Sequence, residues 1–555
     1  MKPALATTAA LGLSLATTGP LHAQCPEPSK LNDDTPVPAG FFGASVSVSG
    51  TTAVVGANGD ELVGVKIGAA HFFENQGGVW MNTSTVVPFD AAPSQNFGNA
   101  VSISGNNALI GANADDEGGS FAGAAYLFER PFDGAPWLQR AKFLHPAPEN
   151  ADFFGNALSL SGNTAAVGAS GDDGVGSVSV FELELGDWQY ETTLVPSDGQ
   201  ENDAFGIAVG ASGDTLLIGS PNDDDWVDNS GSVYVFEDDG AGWVQTAKLR
   251  ASDPHYNDGF GSAVAVSGDV ALISAWGYDG AGADSGAVYV FERQGGEWVE
   301  TATLIASDAS EDDGFGRSVA ISGTTALIGA TRTDGVAGAD IGAAYLFEEL
   351  GGTWVETSRI EAFDAAEDDG FGNAVALAGT TALVGVSGAD DGASNAGAVY
   401  VCPVATPKVL PLSGCGLNPT GSLTVIDGEP ALASTLVLGI HNPLGTQALG
   451  SPTFLALSAG LDAGVAAGGC GTLLGGWSML GFGGAGELLL DPFGPLAQAP
   501  GFPWNGAPAP VAVPIPDDCA MLNMSLHAQG LLLDLTPAAV APIGLTEGLR
   551  LQIGI

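Results

Sequence analysis

Residues 315–362 read FGRSVAISG, TTALIGA, TRTDGVAGAD, IGAAYLFE, ELGG and TWVETSRIEA. Four short runs rich in β-branched or aromatic residues stand in this unit, punctuated by Gly and Asp, as expected of four strands in up-and-down order. Small residues alternate with Val and Ile along the first run. Neither face of that strand suits water, which is the pattern of sheets stacked on neighbours at both faces.

The unit recurs. Phe-Gly pairs stand at Phe42, Phe97, Phe154, Phe205, Phe260, Phe315 and Phe371, at intervals of 55, 57, 51, 55, 55 and 56 residues. Trp80, Trp137, Trp188, Trp243, Trp298 and Trp354 keep the same beat, marking a packing residue of the outer strand. Two markers in one phase define a repeat. Seven four-stranded units predict an all-β, seven-bladed β-propeller rather than a helical solenoid.

The ends of the array point to a closed ring. The seventh unit stops at Val404 without its Trp-bearing fourth strand, and the missing piece precedes the first unit. There Ser29-Lys30-Leu31 resembles Ala247-Lys248-Leu249 of the fourth unit. An N-terminal strand completing the last blade would remove both open sheet edges. Antiparallel pairing sets the end of a third strand opposite the start of a fourth, so a Cys25–Cys402 disulfide is predicted. Closing so long a loop would contribute on the order of 5 kcal/mol before strain.

The chain has 555 residues, 64 acidic against 14 basic side chains, a net charge of −50 and 45% hydrophobic residues. That hydrophobic share allows a large core. The charge makes nucleic acid and anionic membrane surfaces poor partners. Lys2, the small and apolar stretch 4–18 and Leu21-His22-Ala23 read as a secretory signal peptide spanning 1–23. Gln24 argues against acylation of Cys25. No later run is long and apolar enough to span a bilayer. The expectation is a secreted or cell-surface protein in which disulfides are permissible.

FGxAVxxSGxTALIGA followed by GAAYVFE resembles the bacterial FG-GAP repeat, related to the repeat of the integrin α-subunit propeller. The resemblance covers about residues 26–404 and implies the same propeller. Integrin-type repeats hold calcium in an Asp-rich loop between the first two strands. Here that connection is a tight turn, as in Ser104-Gly105-Asn106-Asn107 or Ser322-Gly323-Thr324-Thr325, and no metal ligand carries over.

Alternating strand direction puts the loops between strands two and three on the face of the blade-to-blade crossings. Acids gather in both: Asp115, Asp116 and Glu117, or Asp223, Asp224, Asp225 and Asp228, in loops, and Asp198 with Asp203, Asp253 with Asp258, Asp308 with Asp313 and Asp364 with Asp369 in crossings. Three readings stand: solvated turn residues, calcium ligands, or a surface for a cationic or metal-bridged partner. No loop fits the calcium-loop spacing D-x-[DN]-x-[DN]-G…E, so the Ca2+ reading rests on the clustered carboxylates alone. Trp226, Trp276 and Tyr278 interrupt the small and charged residues of two neighbouring loops. Exposed rings flanked by carboxylates suit a sugar or peptide. The bland alternative is that they cover a neighbouring loop.

Near-identical blades offer little for catalysis. The histidines are scattered without metal spacing, and no nucleophile elbow is visible. The catalytic reading that so many carboxylates leave open is a paired-acid glycosidase. The expected function is non-catalytic recognition or scaffolding of an extracellular protein or polysaccharide. The alternative is a propeller-fold hydrolase or lyase acting on extracellular polysaccharide.

The propeller is assigned 24–404, a Pro-bearing linker 405–411, and a β-rich module 412–555. The module has one basic residue, Arg550, and strand-like runs at 422–426, 434–440, 453–457, 487–490, 511–515, 525–533 and 549–553. A β-sandwich-like domain is expected. The 8 prolines between Asp491 and Pro516 mark a loop or sheet edge. Cys415 pairs with either Cys470 or Cys519.

Overall fold

The computed structural model describes residues 30–404, apart from 63 and 336, and outside that span only strands. Seven four-stranded antiparallel sheets follow one another along the chain. The unit quoted above is blade six, with strands Phe315–Ser322, Thr325–Ala330, Ala343–Glu349 and Trp354–Glu361. Blade one uses Phe42–Ser49, Thr52–Ala57, Ala69–Gln76 and Val79–Val86. Each first strand contacts the first strands of both neighbouring blades, and blade seven's meets blade one's. The inner strands therefore form a complete circle.

Closure occurs as the sequence implies. Blade seven contributes Ala374–Ala378, Thr381–Val386 and Ala398–Pro403, and its fourth strand is Lys30–Leu31. Lys30 lies opposite Tyr400 and Leu31 opposite Val399, the register of Lys248 on Tyr234 and Leu249 on Val233 in blade four. Leu31 is buried between blades seven and one. Cys402 is buried and disulfide-bonded. Cys25, its predicted partner, lies outside the described residues. His22–Gln24 runs parallel to Arg359–Glu361 on the outer edge of blade six.

The repeat signature has a physical reason at each letter. All seven Phe-Gly phenylalanines are at most 1% exposed. The backbone N–H of each bonds the previous blade, as in Phe154 to the Ala122 carbonyl at 2.9 Å and, closing the ring, Phe42 to the Ala396 carbonyl at 2.8 Å. The following glycine has no room for a side chain: a Cβ on Gly155 would stand 2.3 Å from the Ala124 carbonyl oxygen, at φ +87°. The Ser-Gly turn also joins blades, since Ser104 Oγ accepts from Gly162 N–H and Ser267 Oγ from Gly323 N–H. The in-phase tryptophans pack against the hydrophobic clusters, Trp137 buried and stacked on Phe72 at 4.2 Å and the other five half-buried.

Beyond the propeller, two sheets are described. One has the order 408–411, 543–552, 525–533, 453–459, 496–500; the other joins 423–427, 435–440 and 509–514. Lys408–Pro411, read from sequence as linker, is a strand with Lys408 opposite Gln552. Its proline ends an edge strand, where a missing N–H is tolerated. Leu496–Pro500, from the proline-rich stretch, also lies at a sheet edge. Cys415, Cys470, Cys519 and the run 487–490 lie outside the described residues. Among the described residues no helix is long and apolar enough to cross a membrane.

Candidate functional site

The acidic residues fall into positions set by the Phe-Gly pair. Two residues before it, Asp152, Asp203, Asp258, Asp313 and Asp369 are 1–9% exposed. Each takes the backbone N–H three residues earlier, as in Ser310 N–H to Asp313 Oδ2 at 2.6 Å and Glu149 N–H to Asp152 Oδ2 at 2.6 Å. Gln95 does the same for Ala92 at 2.7 Å in the crossing to blade two. Burial raises the pKa of all five carboxyls despite that bond. Asp313 is pushed up to about 6, by burial first and then by the charge of Asp308.

A second set clamps the loops between strands two and three. Asp116 accepts from Phe121 N–H at 2.9 Å, Asp279 from Asp284 N–H at 3.0 Å and Asp390 from Asn395 N–H at 2.8 Å. Loop and crossing are then bonded to each other, as where Gly171 N–H meets the Asp152 carbonyl and Gly388 N–H the Asp369 carbonyl. The loops and crossings do share one face. Many of its acids are turned into the fold as backbone acceptors.

A third set surrounds the tyrosine of the third strand. In blade two, Tyr126 donates to Asp115 at 2.9 Å, and Lys142 Nζ lies 2.7–2.9 Å from Asp90, Asp115 and Glu117. Blade four repeats this with Tyr234 and Lys248, which reaches Asp198 at 3.0 Å, Asp223 at 2.8 Å and also Asp225. Arg359 takes the place of lysine in blade six, and Lys30 of the closing strand takes it in blade seven. Burial lowers the Lys248 pKa, but its carboxylate bonds outweigh that and hold it above the ordinary lysine value. Burial likewise raises Asp198, and Lys248 more than reverses this. These clusters hold outer strand, loop and crossing together in blades two, four, six and seven.

Blades one, three and five depart from that pattern. In blade five Thr303 lies opposite Tyr289, whose hydroxyl donates to Asp253 at 2.7 Å. Blade one has His71 at the tyrosine position, with Asp33 and Asp60 offering oxygens within 4.8 Å of one another and of the ring nitrogen. In blade three Ser179 stands at the tyrosine position, and His145 of the incoming crossing meets Asp152 and Asp172. Sequence reasoning passed over both histidines because it sought short motif spacings. The signal was His71 in GAAHFFE where other units have Tyr.

The three aromatic candidates are placed differently. Trp276 lines a cavity of about 740 Å3 with Ile207, Asn222, Asn229, Asn257 and Arg317, spanning blades four to six. Arg317 lies 5.8 Å from the indole centroid, and a smaller adjoining recess adds Arg332. Neither Arg317 nor Arg332 has an ion-pair partner among the described residues, whereas Lys142, Lys248 and Arg359 do. Trp226 is not among the lining residues. It is 61% exposed, with the Arg250 guanidinium 3.3 Å from its ring centroid. Tyr278 packs edge-on against Tyr289 and His255, its hydroxyl 3.5 Å from Asp253. Of the three, the cavity takes Trp276.

A family described as the FG-GAP repeat matches at residues 30–73, 80–128, 137–181, 188–236, 243–291, 298–347 and 354–402. No curated protein matches the chain. Among solved structures, the chain is similar to the crystal structure of Saccharomyces cerevisiae Sqt1, at 11% identity and a TM-score of 0.39, over 75% of this chain and 96% of that one. It is also similar to a chain of the mitotic checkpoint complex crystal structure, at 12% identity and a TM-score of 0.41, over 72% and 99%. Neither likeness bears on function.

Proposed function

The chain belongs to the FG-GAP repeat family, and from that premise we propose that it is an exported, non-catalytic recognition scaffold that binds an extracellular glycan at the mouth of blades four to six. The signal peptide 1–23 directs export and the Cys25–Cys402 bridge locks the closing strand. A β-sandwich-like module over 412–555 follows the propeller. The observation that carries the reading is the cavity holding Trp276 beside Arg317. An indole face stacks on a pyranose ring, and amides and a guanidinium supply directional hydrogen bonds to hydroxyl or carboxylate oxygens. Asn222, Asn229 and Asn257 give the cavity both donors and acceptors without fixed charge.

The binding reading is supported by the buried acids of the crossings beside the cavity, Asp203, Asp258 and Asp313, each of which accepts a backbone N–H, while Asp284 on the cavity wall adds an acceptor for saccharide hydroxyls. The test is a screen of neutral and uronic oligosaccharides against the mature chain, with W276A and R317A alongside. Binding lost in both variants, kept in W226A and without turnover supports the reading. Cleavage of any saccharide would instead establish the hydrolase or lyase alternative. Binding only to proteins would remove the glycan assignment.

A further inference from the structure

We infer that blade one carries a site for a divalent transition-metal ion of the zinc class, formed by Asp33, Asp60 and His71. The inference stands apart from the glycan reading and uses a different part of the ring. In blades two, four, six and seven, the carboxylates around the third-strand tyrosine are neutralised by a lysine or arginine. In blade one the tyrosine is His71 and the residue opposite it is Thr85. Among the described residues no lysine or arginine pairs with Asp33 or Asp60. Lys66, the basic residue of the same loop, reaches the Pro38 and Ala39 carbonyls instead.

The histidine is held as a ligand is held. His71 is 1% exposed, and Thr85 Oγ1 lies 3.1 Å from its Nδ1. A partner on one ring nitrogen fixes the ring and directs the other inward, as around metal-bound imidazoles. Phe42 packs edge-on against the ring at 5.1 Å. Nε2 is buried and has no hydrogen-bond partner. A polar nitrogen left so is costly, and each such group calls for an explanation. Asp60 Oδ2 lies 3.7 Å from it, too far for a hydrogen bond. A tetrahedral ion with ligands at about 2.0 Å spaces their atoms about 3.3 Å apart; His71 Nε2 and Asp60 Oδ2 stand at 3.7 Å, and an Asp33 oxygen lies within 4.8 Å of both, so a small closure of the site completes the set. Asp60 Oδ1 and Asp33 Oδ1 are held by the N–H groups of Glu61 and Thr35, at 2.7 and 3.0 Å, which orients both carboxylates and leaves each a second oxygen.

One imidazole and two carboxylates suit zinc-class ions, whereas calcium demands six or more oxygens. Water completes the coordination. Asp33 follows the closing strand Lys30–Leu31, so the ion would fasten the ring-closing segment to blade one. Blade three is the natural comparison: there His145 Nδ1 donates to the Ala147 carbonyl at 3.0 Å and Nε2 already meets Ser177 Oγ at 3.4 Å.

The experiment titrates the chelator-stripped mature chain with ZnCl2 by calorimetry and with CoCl2 by visible absorption. His71→Tyr restores the residue that other blades fold with, and Asp33→Asn alters a partly exposed crossing. The expected result is one zinc equivalent lost in His71→Tyr, affinity weakened at least about tenfold in Asp33→Asn, and cobalt bands that vanish in His71→Tyr. Excess CaCl2 should leave zinc bound. Equal stoichiometry in wild type and His71→Tyr, unchanged affinity in Asp33→Asn, or displacement by calcium would overturn the assignment. So would loss of that same equivalent in Asp172→Asn, which belongs to blade three.

Discussion

Asp313 offers a test of whether these carboxylates shape turns at a cost to charge. It is 4% exposed, and burial outweighs its bond from Ser310 N–H to push its pKa from 3.8 up to about 6. An acid raised in this way binds its proton more tightly in the folded chain than in the unfolded one. Its contribution therefore opposes folding progressively as pH rises from about 4 to about 6, and is constant above that. A shift of about 2 units corresponds to about 3 kcal/mol of opposition at pH 7.5, falling to about 1 kcal/mol at pH 4.5 and close to zero by pH 3. Asp313→Asn keeps an oxygen for Ser310 N–H and removes the charge. The variant should be more stable than wild type by up to about 3 kcal/mol at pH 7.5, with the gain shrinking in acid. Urea unfolding of both proteins at pH 7.5, 4.5 and 3 reads this, because titrating groups not coupled to Asp313 cancel in the difference, leaving Asp313 and its charged neighbours Asp308, Arg359 and Asp334. A variant less stable than wild type at pH 7.5, or a gain that does not change with pH, would refute the reasoning.

The blade-two glycine Gly111 would place a Cβ 2.2 Å from the Gly155 carbonyl oxygen of the next blade. Gly111→Ala should cost about 2–3 kcal/mol in urea unfolding through overpacking of backbone that cannot yield; a neutral effect would mean that the blades are not in rigid register. Lys248→Met strands Asp198, Asp223 and Asp225, of which Asp223 is buried. Because Lys248 holds the Asp198 pKa below its ordinary value, that pair stabilises above the carboxylate range and loses its effect as pH falls through it. The variant should lose about 2 kcal/mol at pH 7 and recover toward wild type near pH 3, and a pH-independent loss would point to packing instead. Deleting the chain through Leu31 removes the fourth strand of blade seven, and with it a buried leucine and the Lys30–Asp364 pair. Light scattering should then show association through the exposed Ala398–Pro403 edge, whereas a monomeric chain with an unchanged melting curve would deny the closing strand its role.

Much of this protein can be read from one repeating phrase. The Phe-Gly beat gives seven units, and the likeness of Ser29-Lys30-Leu31 to Ala247-Lys248-Leu249 anticipates the ring closure and even its register, because strand pairing is a matter of local pattern repeated in phase. The fate of the acids is another matter. Asp115 and Asp116 are neighbours in one loop, yet one is buried against Tyr126 and Lys142 and the other clamps Phe121 N–H. A carboxylate's role depends on which amide or cation stands within about 3 Å of it, and the cations come from far along the chain, 27 positions for Lys142 on Asp115 and 334 for Lys30 on Asp364. The same distance hides the sites. Trp226 and Trp276 look alike in sequence, and only the packing of three blades separates the ring that lines a cavity from the one beneath Arg250. His71, Asp33 and Asp60 share no motif, and they meet because closing the circle carries the N-terminal crossing back onto blade one.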